Sequence, residues 1–191
     1  AKLTASDAAA SDNFGYSVAI AGATIVIGAR SDADAGSSSG SACVFQTSDG
    51  GATYGQVAKL TASDAAAGDY FGWSVAIDGA TVVVGGTQWL NTGSGAVYIF
   101  RTSDGGATYA EVVKLTAADA AEDDWFGVSV AIEGDTVVIG AYLDDDSGPG
   151  SGSAYIFDAN MPTSQPTTSE PTSRPTTSEP TSWPTTSQPR P

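Results

Sequence analysis

Residues Phe71 to Gly86 read FGWSVAIDGATVVVGG, and the chain returns to nearly the same phrase twice: FGYSVAIAGATIVIGA from Phe14 and FGVSVAIEGDTVVIGA from Phe126. The copies stay in phase beyond the phrase. Lys2, Lys59 and Lys114 step by 57 and then 55 residues, and Phe45, Phe100 and Phe157 close each unit. A repeat of this length points to a fold built from stacked copies of one unit. No unit carries a helical period. In the second copy, Phe71, Trp73, Val75 and Ile77 fall on one side of an extended chain and Gly72, Ser74 and Ala76 on the other, giving a strand with one bulky and one small face. A two-residue turn at Asp78-Gly79 follows, with Ala21-Gly22 and Glu133-Gly134 in its place elsewhere. The next run, TVVVGG, is apolar throughout, as in a strand covered on both faces. GAVYIF is the third strand and YAEVVKLTA, ending at Ala117, the fourth.

Each unit therefore reads as a four-stranded antiparallel meander with both faces partly apolar. One such sheet leaves a face in water, whereas the bulky face of one sheet laid on the small face of the next covers both. That is the logic of a β-propeller blade. A β-sandwich would need polar residues at alternate positions of the second run, which it lacks. The expected fold is all-β: a partial propeller over residues 1–160, with three four-stranded blades at about 14–61, 71–117 and 126–158. Residues Ala1–Thr4, AKLT, match the end of a fourth strand with no blade of their own, while after Phe157 the third copy has no fourth run. Propellers close with four to eight blades, so three leave two faces open. The chain, which starts at Ala1 with neither Met nor signal peptide, is expected to be a piece of a longer protein that supplies the missing blades. Two copies joined in a six-bladed ring are the alternative.

Composition narrows the function. The net charge of −15 lies on the repeats, because the charges beyond Pro162 cancel. Such a surface repels phosphate backbones and anionic lipid, so neither nucleic acid nor a membrane surface is an expected partner. No apolar run is long enough to span a bilayer, and no membrane insertion is expected. Histidine is absent, which removes the commonest general base and metal ligand. The single cysteine, Cys43, takes the place of Tyr98 and Tyr155 and reads as a packing residue. Residues 161–191 are almost only Pro, Thr and Ser in three nine-residue units. They are expected to form a disordered, extended, O-glycosylated stalk.

The phrase from Phe-Gly to Gly-Ala resembles the FG-GAP repeat, the blade unit of integrin α-chain propellers and of many extracellular repeat proteins. The resemblance covers roughly residues 1–158 and implies a propeller acting in adhesion or ligand binding through its loops. TSDGGATY at Thr47–Tyr54 and again at Thr102–Tyr109 resembles the Asp-box hairpin of sialidase-type propellers, in which Asp49 and Asp104 would hold the turn structurally. Sialidase activity is not implied, since only Arg30 and Arg101 could contribute to the arginine triad of those enzymes. Integrin-type repeats carry a calcium loop between the first and second strands; here those connections are too short to wrap an ion.

Acidic residues gather elsewhere. Asp32 and Asp34 lie in SDADAGSSSG, and Asp144, Asp145 and Asp146 in LDDDSGPGSG. These are candidate calcium ligands, with a solvated turn as the alternative. The second copy has TQWLNTG there, and Trp89 within it is a candidate for stacking on a ligand. Asp7, Asp64 and Asp119, seven residues before each Phe, and Asp12, Asp69 and Asp124, two before it, read as loop-tying carboxylates. The pairing recurs in every copy, unlike an active site, which a ring makes once. The expected function is a non-catalytic extracellular binding or adhesion module that takes a protein or glycan through its loop face and needs no cofactor beyond possible calcium. The alternatives are an enzyme whose active site lies on blades outside this chain, and a structural cell-wall component.

Overall fold

The computed structural model describes residues 1–88 and 93–160. The expected stalk, residues 161–191, and Trp89 lie outside the described residues. Eleven strands form three antiparallel sheets, and no helix occurs among the described residues. Blade 1 is the meander β1 (Phe14–Ala21), β2 (Thr24–Ala29), β3 (Ser41–Gln46) and β4 (Gly55–Leu60). Blade 2 repeats it as β5 (Ser74–Asp78), β6 (Thr81–Gly86), β7 (Ala96–Arg101) and β8 (Ala110–Leu115). Blade 3 has β9 (Ser129–Glu133), β10 (Thr136–Ala141) and β11 (Ser153–Asp158), with no fourth strand among the described residues.

The first hairpin of each blade turns one residue later than its sequence implies. Asp78 pairs with Thr81, so the two loop residues are Gly79-Ala80, one position later than the expected Asp78-Gly79. Gly79 takes φ of 53°, the left-handed conformation that matches the twist of a two-residue hairpin. The alternation expected from Phe71 through Ile77 also breaks. The ladder shifts register between Phe14 and Ser17 in blade 1, and the glycines after each Phe sit at φ of 87–92°. That kink keeps Phe71 with Val75 and Ile77 in the core and turns Trp73 out to the end of the sheet.

The blades stack as bulky face on small face. Between blades 1 and 2, Phe71, Val75, Ile77, Val82, Val84, Tyr98 and Phe100 meet Val26, Ala42, Val44 and Leu60, with Ala19, Ala21 and Ala58 at the edge. Between blades 2 and 3, Phe126, Val137, Ile139, Tyr155 and Phe157 meet Ala76, Val83, Val97, Ile99 and Leu115. Phe71 and Phe126 are fully buried, each worth about 1.5–3 kcal/mol of transfer free energy.

The seam between blades is also hydrogen-bonded. The hydroxyl of Ser17 donates to the carbonyl of Gly72 at 2.8 Å, and that of Ser74 to the carbonyl of Gly127 at 2.7 Å. Gly40 bridges Phe71, and Gly95 bridges Phe126, in parallel sense. The next-to-last residue of β2 and of β6 is a glycine that leaves room for this contact. A Cβ on Gly28 would lie 2.1 Å from the Gly72 carbonyl oxygen, and one on Gly85 would lie 2.1 Å from that of Gly127.

Candidate binding face

The connections between blades are tied down by carboxylates. Asp12, Asp69 and Asp124 accept from the amides of Ala9, Ala66 and Ala121 at 2.6, 2.7 and 2.6 Å. In the hairpins resembling Asp boxes, Asp49 accepts from the Thr53 amide at 2.9 Å and from the hydroxyls of Thr53 and Thr47 at 2.6 and 2.7 Å. Asp104 repeats this with Thr108 and Thr102. Hydrogen bonds from Thr53 and Thr47 hold the Asp49 carboxyl well below its ordinary range, and those from Thr108 and Thr102 do so for Asp104. Tyr54 and Tyr109 pack against the cores beneath.

The candidate calcium loops are organised around protein groups. The Lys59 ammonium on β4 lies 2.6 Å from Asp7, 2.7 Å from Asp32 and 2.5 Å from Asp34, so a lysine is the cation of the first acidic loop. Burial pushes the Asp32 carboxyl up, but hydrogen bonds from Lys59 and Ser41 outweigh it and the net shift is downward. In blade 3 the Tyr155 hydroxyl donates to Asp144 at 2.5 Å and lies 2.9 Å from Asp119. Asp145 turns back on its own loop to accept from the Gly150 amide at 2.6 Å. Asp146 is raised by the charges of Asp144 and Asp119. Among the described residues, no three carboxylates or thiols are arranged to hold a metal ion. Cys43 is buried, and burial pushes its thiol up to about 11, which keeps it protonated at neutral pH.

A different set of residues converges where the first strands begin and the second strands end. Tyr16, Trp73, Trp125 and Tyr142 form a row across all three blades, with ring centroids 5.2, 5.9 and 5.5 Å apart in edge-to-face contact. Tyr70 joins Trp73 at 6.0 Å. The Arg30 guanidinium lies over Tyr16 at 4.0 Å and over Trp73 at 4.4 Å. Its Nε is buried and makes no hydrogen bond. Tyr16 and Tyr142 are exposed, whereas Tyr70, Trp73 and Trp125 are half-buried. Tyr70 and Trp125 stand at φ of 52° and 57°, where blade 1 has Asn13. Asparagine tolerates that left-handed conformation and a bulky aromatic does not, so two strained rings are held in the row.

Sequence reading missed this face. The residues come from three different repeat positions: before the Phe (Tyr70, Trp125), after the Gly (Tyr16, Trp73) and after the second strand (Arg30, Tyr142). Each looks like an exception within its own copy. The available signal was that these three positions flank the same strand ends.

A comparison with curated proteins finds no match. The FG-GAP repeat family matches residues 1–45, 54–100 and 109–157. Each matched unit ends in the third strand of a blade, and the second and third units begin at the fourth strand of the preceding blade, so sequence repeat and blade are offset by one strand. Matched over most of its length and folded as stacked four-stranded meanders, this chain belongs to the FG-GAP repeat family.

Proposed function

We propose that the chain is a non-catalytic binding module that takes a neutral glycan on the Tyr16–Trp73–Trp125–Tyr142 face. It works outside the cell, with residues 161–191 as an O-glycosylated stalk. The aromatic row carries the reading. Flat rings present the apolar faces that sugar C–H groups stack on, and the left-handed backbone at Tyr70 and Trp125 holds two of them in the row. Arg30 supplies donors for sugar hydroxyls beside the rings. The net charge of −15 works against polyanionic glycans and favours neutral ones.

Glycan-array screening followed by titration on tryptophan fluorescence tests this. Trp125→Asn and Arg30→Ala are expected to weaken saturable binding by about tenfold or more, the equivalent of ~1.4 kcal/mol, while the circular dichroism spectrum is unchanged. Binding indifferent to both substitutions would refute the assignment of the face, and turnover of the bound glycan would refute the non-catalytic reading.

A further inference from the structure

The residue that follows the second strand differs in every blade: Arg30, Thr87 and Tyr142. Thr87 is fully buried, and its hydroxyl makes no hydrogen bond. Tyr142 is exposed and brings a ring to the end of the aromatic row. The first copy alone carries charge, so whatever Arg30 does is done once across the three blades.

Arg30 is held differently from Lys59, Lys114 and Arg101. Lys59 is paired with Asp7, Asp32 and Asp34, and Lys114 with Asp64. Arg101 donates to the Ala159 carbonyl and to the Asn160 side chain, both at 2.7 Å. Arg30 has no such partner among the described residues. The Asp12 and Asp32 carboxylates, close to it in sequence, are engaged elsewhere: Asp12 accepts from the Ala9 amide and Asp32 from the Ser41 hydroxyl. Rings hold the guanidinium instead, at 4.0 Å from the Tyr16 centroid, 4.4 Å from that of Trp73 and 5.7 Å from that of Tyr70.

This clamp also decides which edge of the guanidinium faces outward. Nε is buried and unbonded, whereas Nη1 and Nη2 are not buried and make no hydrogen bond among the described residues. The planar group therefore turns its two-nitrogen edge to the surface, with its N–H donors in a fixed fork. A fork already pinned between rings loses little further freedom when it takes a ligand.

We infer that Arg30 reads a vicinal diol, an inference that rests on the glycan reading of this face. Two hydroxyl oxygens on adjacent ring carbons stand side by side and accept from Nη1 and Nη2, while the apolar C–H face of the sugar lies on the neighbouring rings of the row. A carboxylate matches the fork as well, but it must approach through the field of a chain carrying −15, which a neutral diol does not feel. The fork thereby selects by linkage. Internal hexopyranose residues joined 1,4 or 1,6 keep the hydroxyls on carbons 2 and 3. In 1,3-linked chains the linkage takes the middle oxygen, and no vicinal pair of free hydroxyls remains inside the chain.

Titration of the full chain on tryptophan fluorescence tests this with water-soluble neutral glucans, mannans and galactans of each linkage, and with a 1,4-linked uronan. Wild type is expected to bind the 1,4- and 1,6-linked polymers about tenfold or more tighter than the 1,3-linked ones. Arg30→Lys keeps the charge and loses the fork. It is expected to bring the linkages to within about twofold of one another, with an unchanged circular dichroism spectrum. The wild-type comparison stands whether or not that variant folds. Equal affinity for all linkages, an undiminished preference in folded Arg30→Lys, or tighter binding of the uronan would overturn the diol and leave the glycan face standing. No saturable binding anywhere in the panel would overturn both.

Discussion

The inner interfaces and the outer faces are made of the same residues and differ only in whether something lies on them. Val75 and Ile77 are 9% and 8% exposed, and the matching Val18 and Ile20 are 66% and 65% exposed. Residue type therefore does not decide burial in this chain; position in the stack does. A single meander is too thin to cover its own apolar faces, and the middle blade alone has both covered. The stability of each repeat thus comes from its neighbours, as in other linear repeat arrays.

Breaking the comparison at the repeat phenylalanine gives the largest expected effect. Phe71→Ala removes a fully buried ring between two blades and is expected to cost about 3–5 kcal/mol in denaturant unfolding. Phe14→Ala, at the half-buried copy on the outer face, is expected to cost about 1–2 kcal/mol. Equal losses would mean that the blades do not support one another.

The second-strand glycines sharpen the same contrast. Gly85→Ala drives a methyl into the Gly127 carbonyl, an overpacking that costs about 1–3 kcal/mol. Gly140→Ala meets only the Ser129 side chain, which can turn away, and is expected to shift Tm little.

Acid separates the hairpins from the stack. The Asp49 and Asp104 carboxyls are held below their ordinary value of 3.8. The stability they contribute is complete above that pH and is lost as pH falls through the lower folded value. An Asp49→Asn, Asp104→Asn double variant is therefore expected to have a lower Tm than wild type at neutral pH, and the gap is expected to narrow as pH falls below 3.8. A gap that widens in acid would contradict the hydrogen-bonded turn.

The smallest expected effect on stability is at the aromatic row. Trp125→Asn loses edge contacts of about 0.5–1.5 kcal/mol each and relieves left-handed strain of about 1–2 kcal/mol. Tm is expected to stay near wild type. A large drop would make the ring a structural prop.

These contrasts also show how much the sequence could tell. The Phe spacing and the apolar second strands were legible because local alternation encodes a strand and its partner in the meander. The carboxylates that tie loop amides were legible because donor and acceptor are three residues apart in Asp12, Asp69 and Asp124. Lys59 with Asp7, Asp32 and Asp34 was not, since the four residues come from three segments that only the closed sheet brings together. In the sequence the carboxylates of the acidic loop therefore stand without a visible counter-charge. The aromatic row was hidden for the same reason, being assembled from unequal repeat positions on three blades.

Position Val83 and its copy Val138 test the stacking most directly. Both are the third residue of a second strand, but Val83 is 0% exposed between blades and Val138 is 40% exposed on the outer face. Thermal unfolding of Val83→Asp and Val138→Asp compares a buried unpaired charge with a solvated one. Loss of the folded state in Val83→Asp, with Val138→Asp folded at near wild-type Tm, is the predicted result; equal destabilisation of the two would contradict the account.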